Sequence, residues 1–140
     1  MSTSTCENNT TLTPSLARKR KTSNELIAEL SQFTGTELWH RNPINSNMLY
    51  TDGVKFFADE GGEQGAYWFL DVVATEYFRL QRKEPFMVIE LGVKDSRATV
   101  VVTDGNDNIV INSKVDPTDM QEGSWRFYLT DNVMLLPSEY

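Results

Sequence analysis

Residues 86–103 read "FMVIELGVKDSRATVVVT", and their periodicity sets the fold class. Met87, Ile89, Leu91 and Val93 alternate with other residues, and Ala98, Val100 and Val102 do the same beyond Asp95-Ser96. A period of two places one set on a buried sheet face, and the Asp-Ser pair between the runs marks a chain reversal. The alternation resumes in Ile109, Ile111 and Val115, then in Trp125, Phe127 and Leu129, with Asp104–Asn108 breaking it. A short apolar run, Val133–Leu136, closes at Pro137.

Upstream the period changes. From Ala66 to about Gln81, Ala66, Phe69, Val73, Tyr77 and Leu80 share one side, and Tyr67, Leu70, Ala74 and Phe78 the next. Asp71, Thr75, Arg79 and Arg82 leave only a narrow polar stripe, so this spacing predicts a long helix buried on most sides. Thr22-Ser23-Asn24-Glu25 has the form of a capping box, and Leu26, Leu30 and Phe33 then mark one face of a short helix ending near Gly35. Residues 36–41, "TELWHR", suit a strand. Leu49–Tyr50 and Val54–Ala58 flank Asp52-Gly53 and read as a tight hairpin. The expectation is a single α+β domain over residues 23–140: an antiparallel β-meander forming a twisted sheet, packed against one long and one short helix. Residues 1–22, rich in Ser, Thr and Asn and then basic, predict a disordered tail.

Net charge is −7, but unevenly spread. Residues 1–22 hold Arg18, Lys19, Arg20 and Lys21 against Glu7, which leaves nine basic and nineteen acidic residues in the body. Such a body repels polyanions, so nucleic-acid binding is disfavoured except through the basic tail. Cys6 is the only cysteine, which excludes an internal disulfide and a cysteine-based zinc site. The N-terminus has no apolar core of a signal peptide, and no run reaches the ~18 apolar residues of a membrane span. A reducing cytoplasm is the expected compartment.

Chemistry-bearing patterns are sparse. Thr-Asp-(Gly/Asn) occurs at residues 51–53, 103–105 and 130–132, each time between apolar runs, and reads as turn chemistry. His40 is the only histidine, so a catalytic triad or histidine metal site lacks partners. Asp104, Asn106 and Asn108 match the opening of a calcium loop, but Ile109 and Val115 occupy its glycine and glutamate positions. "DEGGEQG" lacks the Gly-Lys-Ser/Thr ending of a phosphate loop. No cofactor or metal is expected. If the alternating set faces the helices, Val88, Val101, Val110 and Tyr128 face the other way, an apolar patch suited to a protein partner or a homodimer. Trp39, His40 and Arg41 form a second candidate contact region. The alternative is a small metal-dependent hydrolase or nuclease that gathers Asp52, Asp59, Glu60 and Asp71 into one acidic site.

The blocks "FTGTELWHR", "LYTDGVKFFAD", "GAYWFLD" and "VMLLPSEY" together resemble a small bacterial family of unknown function, often carried on plasmids, phages and other mobile elements. The resemblance covers roughly residues 25–140, with an added "GEQ" before the long helix and the basic tail outside it. It implies no catalytic residue. It implies a mobile-element context, and with it an accessory or host-interaction role that includes interference with host defence.

Overall fold

Asp95 and Ser96 both take positive φ, 53° and 64°, so the chain reverses in a two-residue turn whose twist matches antiparallel strands. A computed structural model describes residues 21–106, 108–115 and 118–140, and the expected tail falls almost entirely outside them. In chain order the elements are α1 (Ser23–Leu30), β1 (His40–Arg41), β2 (Leu49–Tyr50), α2 (Asp52–Glu60) and α3 (Tyr67–Val72). The long helical segment continues from α3 as a wider π turn (Val73–Tyr77) and a tighter 3-10 turn (Phe78–Arg82). Then come β3 (Phe86–Lys94), β4 (Arg97–Thr103), β5 (Ile109–Val115), β6 (Gly123–Thr130), β7 (Val133–Leu135) and a last 3-10 turn (Pro137–Glu139).

The strands form one seven-stranded sheet in the order β1-β2-β7-β6-β3-β4-β5. The expected meander holds from β3 to β5, after which β6 returns to the other side of β3. The sheet is also not wholly antiparallel, because β2 runs parallel to β7. Asp131 and Asn132, with φ of 51° and 66°, make the β6–β7 turn that Thr130-Asp131-Asn132 predicts. The alternating set is buried throughout β3, β4 and β6, with Ile89, Leu91, Val100, Val102 and Leu129 at zero exposure. Ile109 departs from it. A register shift between Val102 and Thr103 pairs Thr103 with Ile109, and that residue lies in solvent while Ile111 and Val115 pack on the core.

The capping box forms as read: the Glu25 amide donates to Thr22 Oγ1 at 3.1 Å and the Thr22 amide to Glu25 Oε1 at 2.8 Å. The helix it opens is shorter than expected and ends at Leu30. Residues 36–39 are not strand. The amides of Glu37 and Leu38 donate to the Asp52 carboxylate, so they have none to give a neighbouring strand.

The largest correction concerns Asp52-Gly53. No hairpin forms there; α2 starts instead, which makes three helices rather than two. Thr51 caps it, its Oγ1 accepting from the Val54 amide at 3.4 Å, and Asp52 suits the positive end of the helix dipole. Val54, Phe57 and Ala58, at i, i+3 and i+4, bury one face completely. Gly53 serves close packing rather than a turn, since its φ is not positive. A Cβ there would lie 2.6 Å from Leu136 Cδ1 and 2.7 Å from Glu139 Oε1. Phe57 meets Phe69, Trp125 and Phe127 at ring-centroid distances of 6.2, 5.9 and 4.8 Å, fastening α2 and α3 to the sheet.

Candidate functional site

The N-terminus of α2 gathers polar groups from three parts of the chain. Glu139 accepts from Thr51 Oγ1 at 2.5 Å, from the Gly53 amide at 3.1 Å and from the Leu136 amide at 3.0 Å, tying the last turn to the helix start. On the outer side Asp52 accepts from the Glu37 amide at 2.9 Å and the Leu38 amide at 3.4 Å through Oδ2. Its Oδ1 lies 2.8 Å from His40 Nε2. The Asp52 amide donates to Thr36 Oγ1, which in turn donates to the Leu38 carbonyl.

This clamp fixes the backbone of residues 36–38 while leaving the side chains beyond it in water. Leu38 is 62% and Trp39 56% exposed, high values for large apolar groups beside a backbone held by three hydrogen bonds. The His40 ring leans on Tyr50 at 5.5 Å, and Arg41 reaches back to the Ser46 carbonyl. The Glu37 amide first, and then His40, hold the Asp52 carboxyl down to a pKa of about 2.

That shift has a testable consequence. An unfolded aspartate titrates near ~3.9, so the fold favours the charged form, and the stability gained is present above that value. It is lost as pH falls from about 4 through about 2. Thermal unfolding between these limits should steepen in the wild type relative to Asp52→Asn, in which the amide cannot titrate. Asp104 also has a lowered pKa, from Asn108 and the Asn106 amide, and contributes equally to both proteins. Parallel curves for the two proteins would show that Asp52 does not hold the loop.

The four carboxylates of the acidic alternative have separate partners. Asp52 is engaged by His40 and the loop amides. Asp59 accepts from Lys55 Nζ at 2.9 Å and from the Tyr67 hydroxyl at 2.6 Å. Burial and this hydrogen bond push the Tyr67 phenol up, while the Asp59 bond raises Lys55. Glu60 lies 3.9 Å from Lys21, and Asp71 accepts from Asn42 Nδ2 at 3.2 Å. Among the described residues no three His, Cys, Asp or Glu side chains are placed to share a metal ion.

The sheet face turned away from the helices carries Val88, Val101 and Tyr128, all half-buried. Val110 does not join them. The register shift in β5 moves it, and it packs against the core cluster instead. Two aromatics absent from the sequence reading complete this face: Phe86 lies 4.9 Å from Tyr128, and Tyr140 lies 5.4 and 5.3 Å from the two. Phe86 was legible as the residue two before Val88 on the same strand face. Tyr140 was not, because it follows a turn whose direction no periodicity encodes.

The fold and this site define a small α+β domain whose helix-capping clamp holds an exposed Leu-Trp pair. The chain belongs to a family of unknown function, DUF6876, which matches residues 24–140. Such a family is what the sequence resemblance implied, over nearly the same residues. No curated protein and no solved structure matches the chain. Among the described residues no helix is long and apolar enough to cross a membrane.

Proposed function

We propose that this protein is a non-enzymatic accessory protein of a mobile element, working in the cytoplasm by binding a host protein. The exposed Leu38-Trp39 pair on a clamped backbone carries this reading. Tryptophan is among the commonest binding hot spots, and a backbone fixed in advance loses little entropy when a partner docks. The mobile-element setting comes from the resemblance in the four sequence blocks. An acidic body gives such a protein a means of occupying the basic, nucleic-acid-binding surface of a host defence factor.

Affinity capture from the bacterial host, with partners identified by mass spectrometry, tests the reading. Trp39→Ala should weaken capture of the genuine partner by about 30-fold or more, the size of a hot-spot loss. Affinity should also fall with added salt, since the body's charge is the attraction. Equal capture by wild type and Trp39→Ala would sink the proposal, and an affinity indifferent to salt would remove its electrostatic half.

A further inference from the structure

The body's average charge conceals a face of the opposite sign. On the side of the sheet opposite its buried set, with the start of α1 at the rim, Lys94 and Arg97 pair across β3 and β4, Lys114 pairs with Thr99, and Arg126 pairs with Glu90. All four cations are exposed, and they are four of the nine basic residues the body possesses. Among the described strand residues Glu90 is the one carboxylate on this face, and it is engaged by Arg126 at 3.1 Å and Ser124 at 2.9 Å. Glu122 borders the cationic end, where its carboxylate accepts from the Asp95 amide at 2.7 Å. Gly92 lies between the cationic end and the middle of the sheet and leaves the surface low there.

The other end of the same face is aromatic. Phe86, Tyr128 and Tyr140 stand in mutual contact, and a recess of about 260 Å³ is walled by Phe86 and Tyr128 with Arg126 at its side. From Phe86 to Lys94 the strand runs about 26 Å at ~3.3 Å per residue.

We propose that this face binds single-stranded nucleic acid, stacking bases on Phe86, Tyr128 and Tyr140 and carrying phosphates along Arg126, Lys114, Arg97 and Lys94. An open antiparallel sheet with aromatics beside cations suits unpaired bases, whose π-faces need a platform and whose phosphates need countercharge. A duplex would hide its bases from the rings. Neither Leu38 nor Trp39 is among the residues the inference uses, so it is independent of the protein-binding proposal.

Fluorescence anisotropy with short labelled oligothymidylate and oligouridylate tests it on the full chain. Binding is expected at low salt and should fall steeply as salt is added, by release of counterions. Tyr128→Ala should weaken it about tenfold or more, the loss of one base–aromatic stack. Lys94→Glu with Arg97→Glu should do the same, and because both side chains are exposed this pair reports on binding even if Tyr128→Ala fails to fold. Trp39→Ala should leave the affinity unchanged.

Four outcomes would overturn the inference. One is no binding at low salt. Another is binding that survives the face variants but disappears when Arg18, Lys19 and Arg20 are changed to Ala, which would assign it to the tail. A third is polyglutamate binding as tightly with the same dependence on the face, which would make an acidic protein segment the occupant. The last is loss of the oligonucleotide in Trp39→Ala, which would place it elsewhere.

Discussion

Phe57→Ala should cost about 3–5 kcal/mol of stability, the range for truncating a fully buried aromatic. The residue has zero exposure and touches Phe69, Trp125 and Phe127, so its loss opens a cavity where α2, α3 and β6 meet. Domains of this size are stable by only about 5–15 kcal/mol; the variant should therefore melt far below the wild type or be partly unfolded at room temperature. Urea denaturation followed by tryptophan fluorescence measures the loss. The result also bears on the element most at odds with periodicity. In the hairpin that Asp52-Gly53 suggests, Phe57 lies on the opposite strand face from Val54, and removing it would cost about 1 kcal/mol or less, as for a partly exposed residue. A small effect would speak against α2 itself.

Gln121→Leu is the second large expectation, through a different mechanism. Gln121 is 2% exposed, and its side chain joins three segments. Oε1 accepts from the Gly62 amide at 2.9 Å, while Nε2 donates to the carbonyls of Lys21 and Glu60 at 3.0 and 3.3 Å. Leucine fills similar space but satisfies none of these groups, and each stranded buried group costs about 1–3 kcal/mol. A total near 3 kcal/mol is expected, because the entry to α1 can relax toward water and recover part of the loss. The loop after α2 cannot move as freely, since Asp119 Oδ2 also accepts from the Glu63 amide at 2.9 Å. Hydrogen exchange should show the Gly62 amide losing protection before the amides of β3. Denaturation within 1 kcal/mol of wild type, with Gly62 still protected, would mean that Gln121 is not the tie between these segments.

Several features were legible because their causes are local. Thr22 and Glu25 are three residues apart, and that spacing suffices for the reciprocal bonds that start α1. Asp95-Ser96 and Asp131-Asn132 tolerate positive φ, and each reverses the chain as read. The alternation in β3, β4 and β6 survived intact, since a half-buried strand has no other way to hide its apolar set. Asp52-Gly53 misled because the same two residues suit both a hairpin turn and the first turn of a helix. The discriminating facts were the capping Thr51 and the i, i+3, i+4 spacing of Val54, Phe57 and Ala58. One half-buried ring, Phe56, blurred that spacing by adding apolar character off the buried face.

The candidate sites divide along the same line. Trp39, His40 and Arg41 were identifiable as a region, but the Asp52–His40 contact joins residues twelve positions apart across the β1–β2 pair, whose two-residue strands are too short to show alternation. The acidic quartet looked like a unit only in composition, and each member has its own partner in space. Val110 left the open face because of a single shifted register, which alternation cannot foresee.

Sequence alone determined the class of the domain, the strand faces of β3, β4 and β6 and the first helix cap, all of which depend on neighbours within a few residues. Only the tertiary structure decided the strand order, the parallel β2–β7 pairing and the role of Gly53, because these depend on segments as distant as Leu136 and Glu139. It also decided the distribution of charge. A count over the body beyond residue 22 averages nineteen acids against nine bases, whereas strand pairing brings Lys94, Arg97, Lys114 and Arg126 onto one face with a single carboxylate among the described strand residues. Charges act over about a Debye length, roughly 8–10 Å, so a ligand senses the face it touches and not the average.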